Sequence, residues 1–154
     1  MVQFISDYAP ALLGLALGAV AGLILTAGVR RTRVGRQNLG DWDAHLTVPL
    51  LTATAVAHLT LLPVVERQRM LLFSLYALAL FVTVAIAIAG IAIWRLGAIG
   101  LPAGSILAYA YFAVMAREAD VVGLVVKVAE LTAIAAALLP VMRSRQSHSP
   151  STAT

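Results

Sequence analysis

The chain has 154 residues, 61% of them hydrophobic and only 12% charged, with a mean hydropathy of +0.93 and a formal net charge of +4. Soluble domains carry about a quarter charged residues, so this composition excludes a soluble fold and indicates an integral membrane protein. The absence of cysteine also excludes disulfides, thiolate metal sites and a cysteine nucleophile.

The sequence pI near 10.1 would suggest nucleic acid in a soluble protein. In a membrane protein, basic loops set orientation and meet anionic headgroups instead. Tryptophan and tyrosine are sparse and are not interleaved with basic residues, so no nucleic-acid partner is expected. The expected surroundings are the lipid bilayer, with further copies or other membrane subunits.

A helix needs about 20 apolar residues to cross a hydrocarbon core about 30 Å thick. Five stretches are predicted to do so, at about 8–29, 44–65, 71–94, 101–116 and 121–142. No lysine or arginine precedes the first, so it lacks the basic n-region of a secretory signal and is expected to stay as a span. It contains "GLALGAVAG", which puts Gly14, Gly18 and Gly22 on one helix face, with Thr26 continuing the row. Such a groove lets two helix backbones approach closely in lipid. The occupant is another helix of the same chain in one reading and a second subunit in the other.

The second stretch, "AHLTVPLLTATAVAHLTLLPVV", holds His45 and His58 and a row formed by Thr47, Thr54 and His58. His45 follows Asp41, Trp42 and Asp43 at the membrane boundary and is read as an interfacial anchor. His58 lies inside the apolar run. Pro49 and Pro63 free backbone carbonyls that threonine hydroxyls or water can satisfy. The two histidines lie about 20 Å apart along one helix and cannot ligate one iron, so no haem is expected.

In the third stretch, "VTVAIAIAGIAI" alternates large and small residues as a strand would. Its setting inside a long unbroken apolar run favours a helix, because a spanning strand needs only about 9–11 residues. The fourth follows "RLGAIGLPAG", read as an interhelical turn, with a broken helix entry lining a cavity as the alternative. It carries Ser105 and Tyr109 on one face, and Tyr111.

The fifth stretch, "VVGLVVKVAELTAIAAALLP", places Lys127 and Glu130 inside an oily run. At helical rise Lys127 lies about 9 Å deep, Glu130 about 13 Å and His58 about 10 Å. Charged groups in a bilayer centre cost about 2.5–3.5 kcal/mol each and usually pair or serve a purpose. Three readings stand. In a proton-responsive cluster, Glu130 carries the proton, His58 relays it and Lys127 supplies the counter-charge. In a packing pair, Lys127 and Glu130 neutralise each other and the lysine partly snorkels outward. In the third, the charges meet a partner subunit.

Orientation follows from arginine placement. Arg30, Arg31, Arg33, Arg36, Arg95, Arg143 and Arg145 fall on one side; Arg67, Arg69 and Arg117 fall on the other, offset by Glu66, Glu118 and Asp120. The N-terminus is therefore expected outside and the C-terminus in the cytoplasm. The tail 146–154 is rich in Ser, Thr and Pro and is expected to be disordered.

No H-E-x-x-H, P-loop, G-x-S-x-G or carboxylate cluster for a divalent metal is present. The expectation is an all-α, multi-pass bundle in the plasma membrane, a single domain over 1–145, without catalytic residues, metal or cofactor. Its leading function is a non-enzymatic subunit of a homo-oligomer or larger membrane complex. The alternative is a proton-coupled transporter or channel using Glu130, Lys127 and His58.

Overall fold

The computed structural model describes residues 2–32, 35, 42–65, 67–116 and 121–146. Arg33, Arg36, Asp41, Glu66, Arg117, Glu118, Asp120 and the tail from Ser147 lie outside the described residues. Hydrocarbon offers no partner to a bare N–H or C=O, so apolar segments of this length close their hydrogen bonds internally as helices. Five form: α1 (Val2–Arg30), α2 (Trp42–Leu61), α3 (Arg67–Ile88), α4 (Trp94–Ala116) and α5 (Val121–Gln146). A 3₁₀ turn at Leu62–Val64, started by Pro63, links α2 to α3. No strand occurs among the described residues.

Four of the helices are long and apolar enough to cross a bilayer: Ala9–Arg30, Ala44–Leu61, Arg69–Ile88 and Trp94–Met115. The 26 residues of α5 would reach about 39 Å at helical rise, and this helix carries Lys127 and Glu130. The protein is thus a helical membrane bundle.

The α3–α4 junction departs from the sequence expectation. Instead of running through Trp94, the third helix ends at Ile88, because Gly90 takes a left-handed conformation (φ 73°). Gly90 N–H donates to Ala87 O (3.0 Å) and Ile91 N–H to Ile86 O (3.2 Å). That pair of bonds is a Schellman stop, which an αL glycine permits. Trp94 belongs to α4, where it is buried with its ring 5.4 Å from the Arg95 guanidinium. The segment read as a turn, "RLGAIGLPAG", is the helical first half of α4, so this helix spans 23 residues rather than 16. Pro102 sits inside it, tolerated because neighbouring helices in a membrane bundle protect the interrupted backbone.

Helices α2 to α5 form a ring in which each packs on the next and α5 closes on α2, while α1 lies outside against α2. Their shared core contains Val48, Leu51, Leu80, Val84, Trp94, Ala98, Ala133 and Ala137. The small residues on α5 let it come close to α2. Leucines, isoleucine and valine elsewhere on α1 are exposed, as lipid-facing side chains should be.

The α1–α2 contact is the tightest. A Cβ added at Gly18 would stand 2.6 Å from Ala53 Cα, and one at Gly22 2.6 Å from Pro49 Cα. At Gly14 it would collide with Thr60 Oγ1. Gly14, Gly18 and Gly22 therefore receive α2 of the same chain, backbone to backbone. Thr26, next in the row, bonds its own helix at Gly22 O (2.7 Å).

Gly18→Leu is expected to destabilise the fold by about 1–3 kcal/mol or more, as overpacking does. Gly104→Leu, which meets open space, is expected to leave folding within about 0.5 kcal/mol of the parent. Unfolding in detergent micelles checks both, and equal effects would contradict the α1–α2 contact.

Candidate functional site

Lys127 is the only lysine in the chain; its ten other basic residues are arginines. One turn of α5 places it on the same face as Glu130, and that face points into the ring of helices. Lys127 keeps 8% of its surface and Glu130 none. The ammonium Nζ lies 2.8 Å from Glu130 Oε2.

Each remaining helix of the ring adds a group. From α4, Ser105 Oγ accepts a hydrogen bond from Lys127 Nζ (2.5 Å) and donates one to Glu130 Oε1 (3.1 Å). From α3, the Tyr76 hydroxyl donates to the same Oε1 (2.9 Å). From α2, the His58 ring packs edge-on against Tyr76, with centroids 4.7 Å apart, and against Phe73 at 5.2 Å. Its Nδ1 lies 2.8 Å from Thr54 O. The Tyr109 ring centroid stands 5.8 Å from Lys127 Nζ. Glu130 thus receives three donors from three helices, and Ser105 uses both its donor and an acceptor position.

Lys127, Glu130 and His58 are brought to one level of the bundle. His58 makes no direct bond to the carboxylate; Tyr76 stands between them. The lysine turns inward to its acid rather than outward to headgroups, and both charges are engaged within the chain. His45 lies in the first turns of α2, thirteen residues before His58, and takes no part. Tyr111 is exposed.

Tyr76 was not singled out by the sequence reading, and Ser105 was not tied to the charges. Helical rise from Arg67 puts Tyr76 about 13 Å into α3, the depth reckoned for Glu130, so depth matching would have found it. Among the described residues no group of three or more His, Cys, Asp or Glu could hold a metal ion.

Removing one partner of a buried ion pair leaves the other charge uncompensated, at about 3–5 kcal/mol. Lys127→Met and Glu130→Gln should each destabilise on that scale. Glutamine keeps acceptors for Tyr76 and Ser105, so the double variant should recover most of the loss. Unfolding of all four proteins gives the coupling; simple additivity would show that the two side chains do not interact. No family model, curated protein or solved structure matches this chain.

Proposed function

We propose that the protein moves protons across its membrane, with Glu130 as the proton-carrying group and Lys127 as its counter-charge. The observation behind this reading is a fully buried carboxylate hydrogen-bonded by groups from three helices of the ring, with His58 of the fourth packed on one of those donors. A buried ion pair adds little stability over a well-packed apolar pair, and inside a membrane it costs more to build. A bundle held together by packing alone has no need of it. Tyr76 and Ser105 orient the carboxylate, and His58 positions Tyr76 through the ring contact. The Gly14–Gly18–Gly22 groove also bears on the choice, since α2 fills it and leaves no room there for a second subunit. We place the protein in the plasma membrane with its arginine-rich end in the cytoplasm, on the strength of the arginine bias.

A second reading, the non-enzymatic subunit, is favoured by the outer face of α4. There Gly100 and Gly104 meet nothing within 4 Å, and Leu96, Leu107, Val114 and Met115 are each more than 60% exposed. Small residues spaced in this way suit a helix from another chain. Native mass spectrometry after gentle extraction tests this reading: bound subunits favour it, and a bare chain counts against it.

For transport, purified protein in liposomes under an imposed potential should carry a proton flux read by an internal pH dye. Glu130→Gln is expected to lower that flux by at least about a hundredfold, the scale of losing a positioned acid–base group. The Lys127→Met, Glu130→Gln double variant, which keeps the fold, should be equally inactive. A silent wild type, or a Glu130→Gln protein as active as its parent, would refute the reading.

A further inference from the structure

Helix α2 has two faces with different tasks. Pro49, Thr52, Ala53, Val56, Ala57 and Thr60 meet the glycines of α1. At about 100° per residue, Thr47, Leu51, Thr54 and His58 fall on the opposite side, toward α3 and α5. Of the polar members of that row, His58 packs on Phe73 and Tyr76, while the two threonines behave differently from the others in the bundle.

Five of the seven threonines in the described helices return their hydroxyl to their own backbone: Thr26, Thr52, Thr60, Thr83 and Thr132. Thr47 and Thr54 do not. Both are fully buried, and neither Oγ1 has a hydrogen-bond partner among the described residues. In a membrane interior an unbonded hydroxyl is a cost that folding normally avoids.

Their positions make the pattern informative. Thr54 lies one turn from His58, and its carbonyl takes the His58 Nδ1 contact. Thr47 lies about 10 Å further along the helix axis, toward the end where Arg30, Arg31 and Arg95 collect. Between the two hydroxyls sits Leu51, 1% exposed and packed in the core with Leu80 and Val84. A buried leucine with an unbonded hydroxyl one turn to either side is the arrangement a hydrophobic gate between two hydrated positions would use.

Building on the proton-transport reading, we infer that Thr54 and Thr47 hold internal water and carry the proton between Glu130 and the arginine-rich end, with Leu51 as the dry constriction between them. The proton that Glu130 takes up from the opposite side of the membrane passes to water at Thr54. It crosses to water at Thr47 when the Leu51 side chain swings aside, and leaves at the arginine end. Glu130 is then a carboxylate again, paired with Lys127.

The chain contains no cysteine, so single Cys variants report one position each. Thr47→Cys, Thr54→Cys and Thr52→Cys, reconstituted in liposomes, are treated with silver ion and with a small cationic methanethiosulfonate. Thr52 is the control: it is buried at similar depth on the face that meets α1. Thiols react as thiolates, which water favours and an apolar packing contact disfavours. Silver is therefore expected to modify positions 47 and 54 at least about tenfold faster than position 52. The larger reagent should reach position 47 from the arginine end before position 54. Thr54→Val, which exchanges the hydroxyl for a methyl group of similar size, should lower proton flux about tenfold without loss of thermal stability.

Rates at 47 and 54 no faster than at 52, with a flux that still depends on Glu130, would overturn the water track and leave the transport reading standing. Fast labelling at both, with a flux indifferent to Glu130, would overturn the transport reading and the proton's use of the track with it.

Discussion

An ammonium and a carboxylate 2.8 Å apart, buried inside the ring of helices, set the terms for this bundle. Neither charge can face lipid, so both must turn toward protein, and the protein around them must supply polar partners where apolar packing would otherwise serve. Each charge would cost about 2.5–3.5 kcal/mol if left alone at the bilayer centre. Pairing them removes most of that penalty only if the remaining lone pairs and protons are also satisfied. Ser105 and Tyr76 do this from two other helices, which ties α3 and α4 to α5 at one level. His58 brings in α2 through the Tyr76 ring.

Helix α2 joins this polar centre to the rest of the fold. Its outer face is matched to the glycine row of α1, where backbones touch and dispersion holds the pair together. Its inner face carries His58 near the charges and Leu51 in the core, with the two unbonded hydroxyls of Thr54 and Thr47 between and beyond them. The same helix therefore anchors α1 and lines the bundle interior. A proline at position 49 is compatible with both tasks, because the close contact with Gly22 uses its Cα and ring carbon rather than a backbone donor.

The features legible in the sequence were those with a local physical cause. Long apolar runs imply helices wherever they fall, and Lys127 and Glu130 stand out inside one such run because charge in lipid is costly. The glycine spacing defined a face. Less legible were features that depend on three-dimensional pairing. The Gly90 stop was hidden because a glycine inside an apolar run reads equally well as part of a span; only its αL conformation and the two capping bonds divide the run into α3 and α4. The glycines and proline of α4 misled in the opposite direction, since turn-forming residues are accepted in a membrane helix whose neighbours protect the backbone. Tyr76 and Ser105 are ordinary residues until the antiparallel register of α3, α4 and α5 sets them around Glu130.

The direct test of this account is the ion pair itself, seen in a lipid bilayer. The chain has one lysine, so lysine labelled with ¹⁵N at Nζ marks the Lys127 ammonium alone, and glutamate labelled with ¹³C at Cδ marks the carboxyl carbons of only three side chains. Solid-state NMR dipolar recoupling on the reconstituted protein then reads whether nitrogen and carboxyl carbon are in contact. Pairing of the two side chains predicts a through-space ¹⁵N–¹³C dipolar coupling that vanishes in Glu130→Gln protein made from the same labelled precursors. A Lys127 ammonium with no coupling to any glutamate carboxyl carbon would mean that the charges do not pair in the membrane, and the polar centre described here would fall with them.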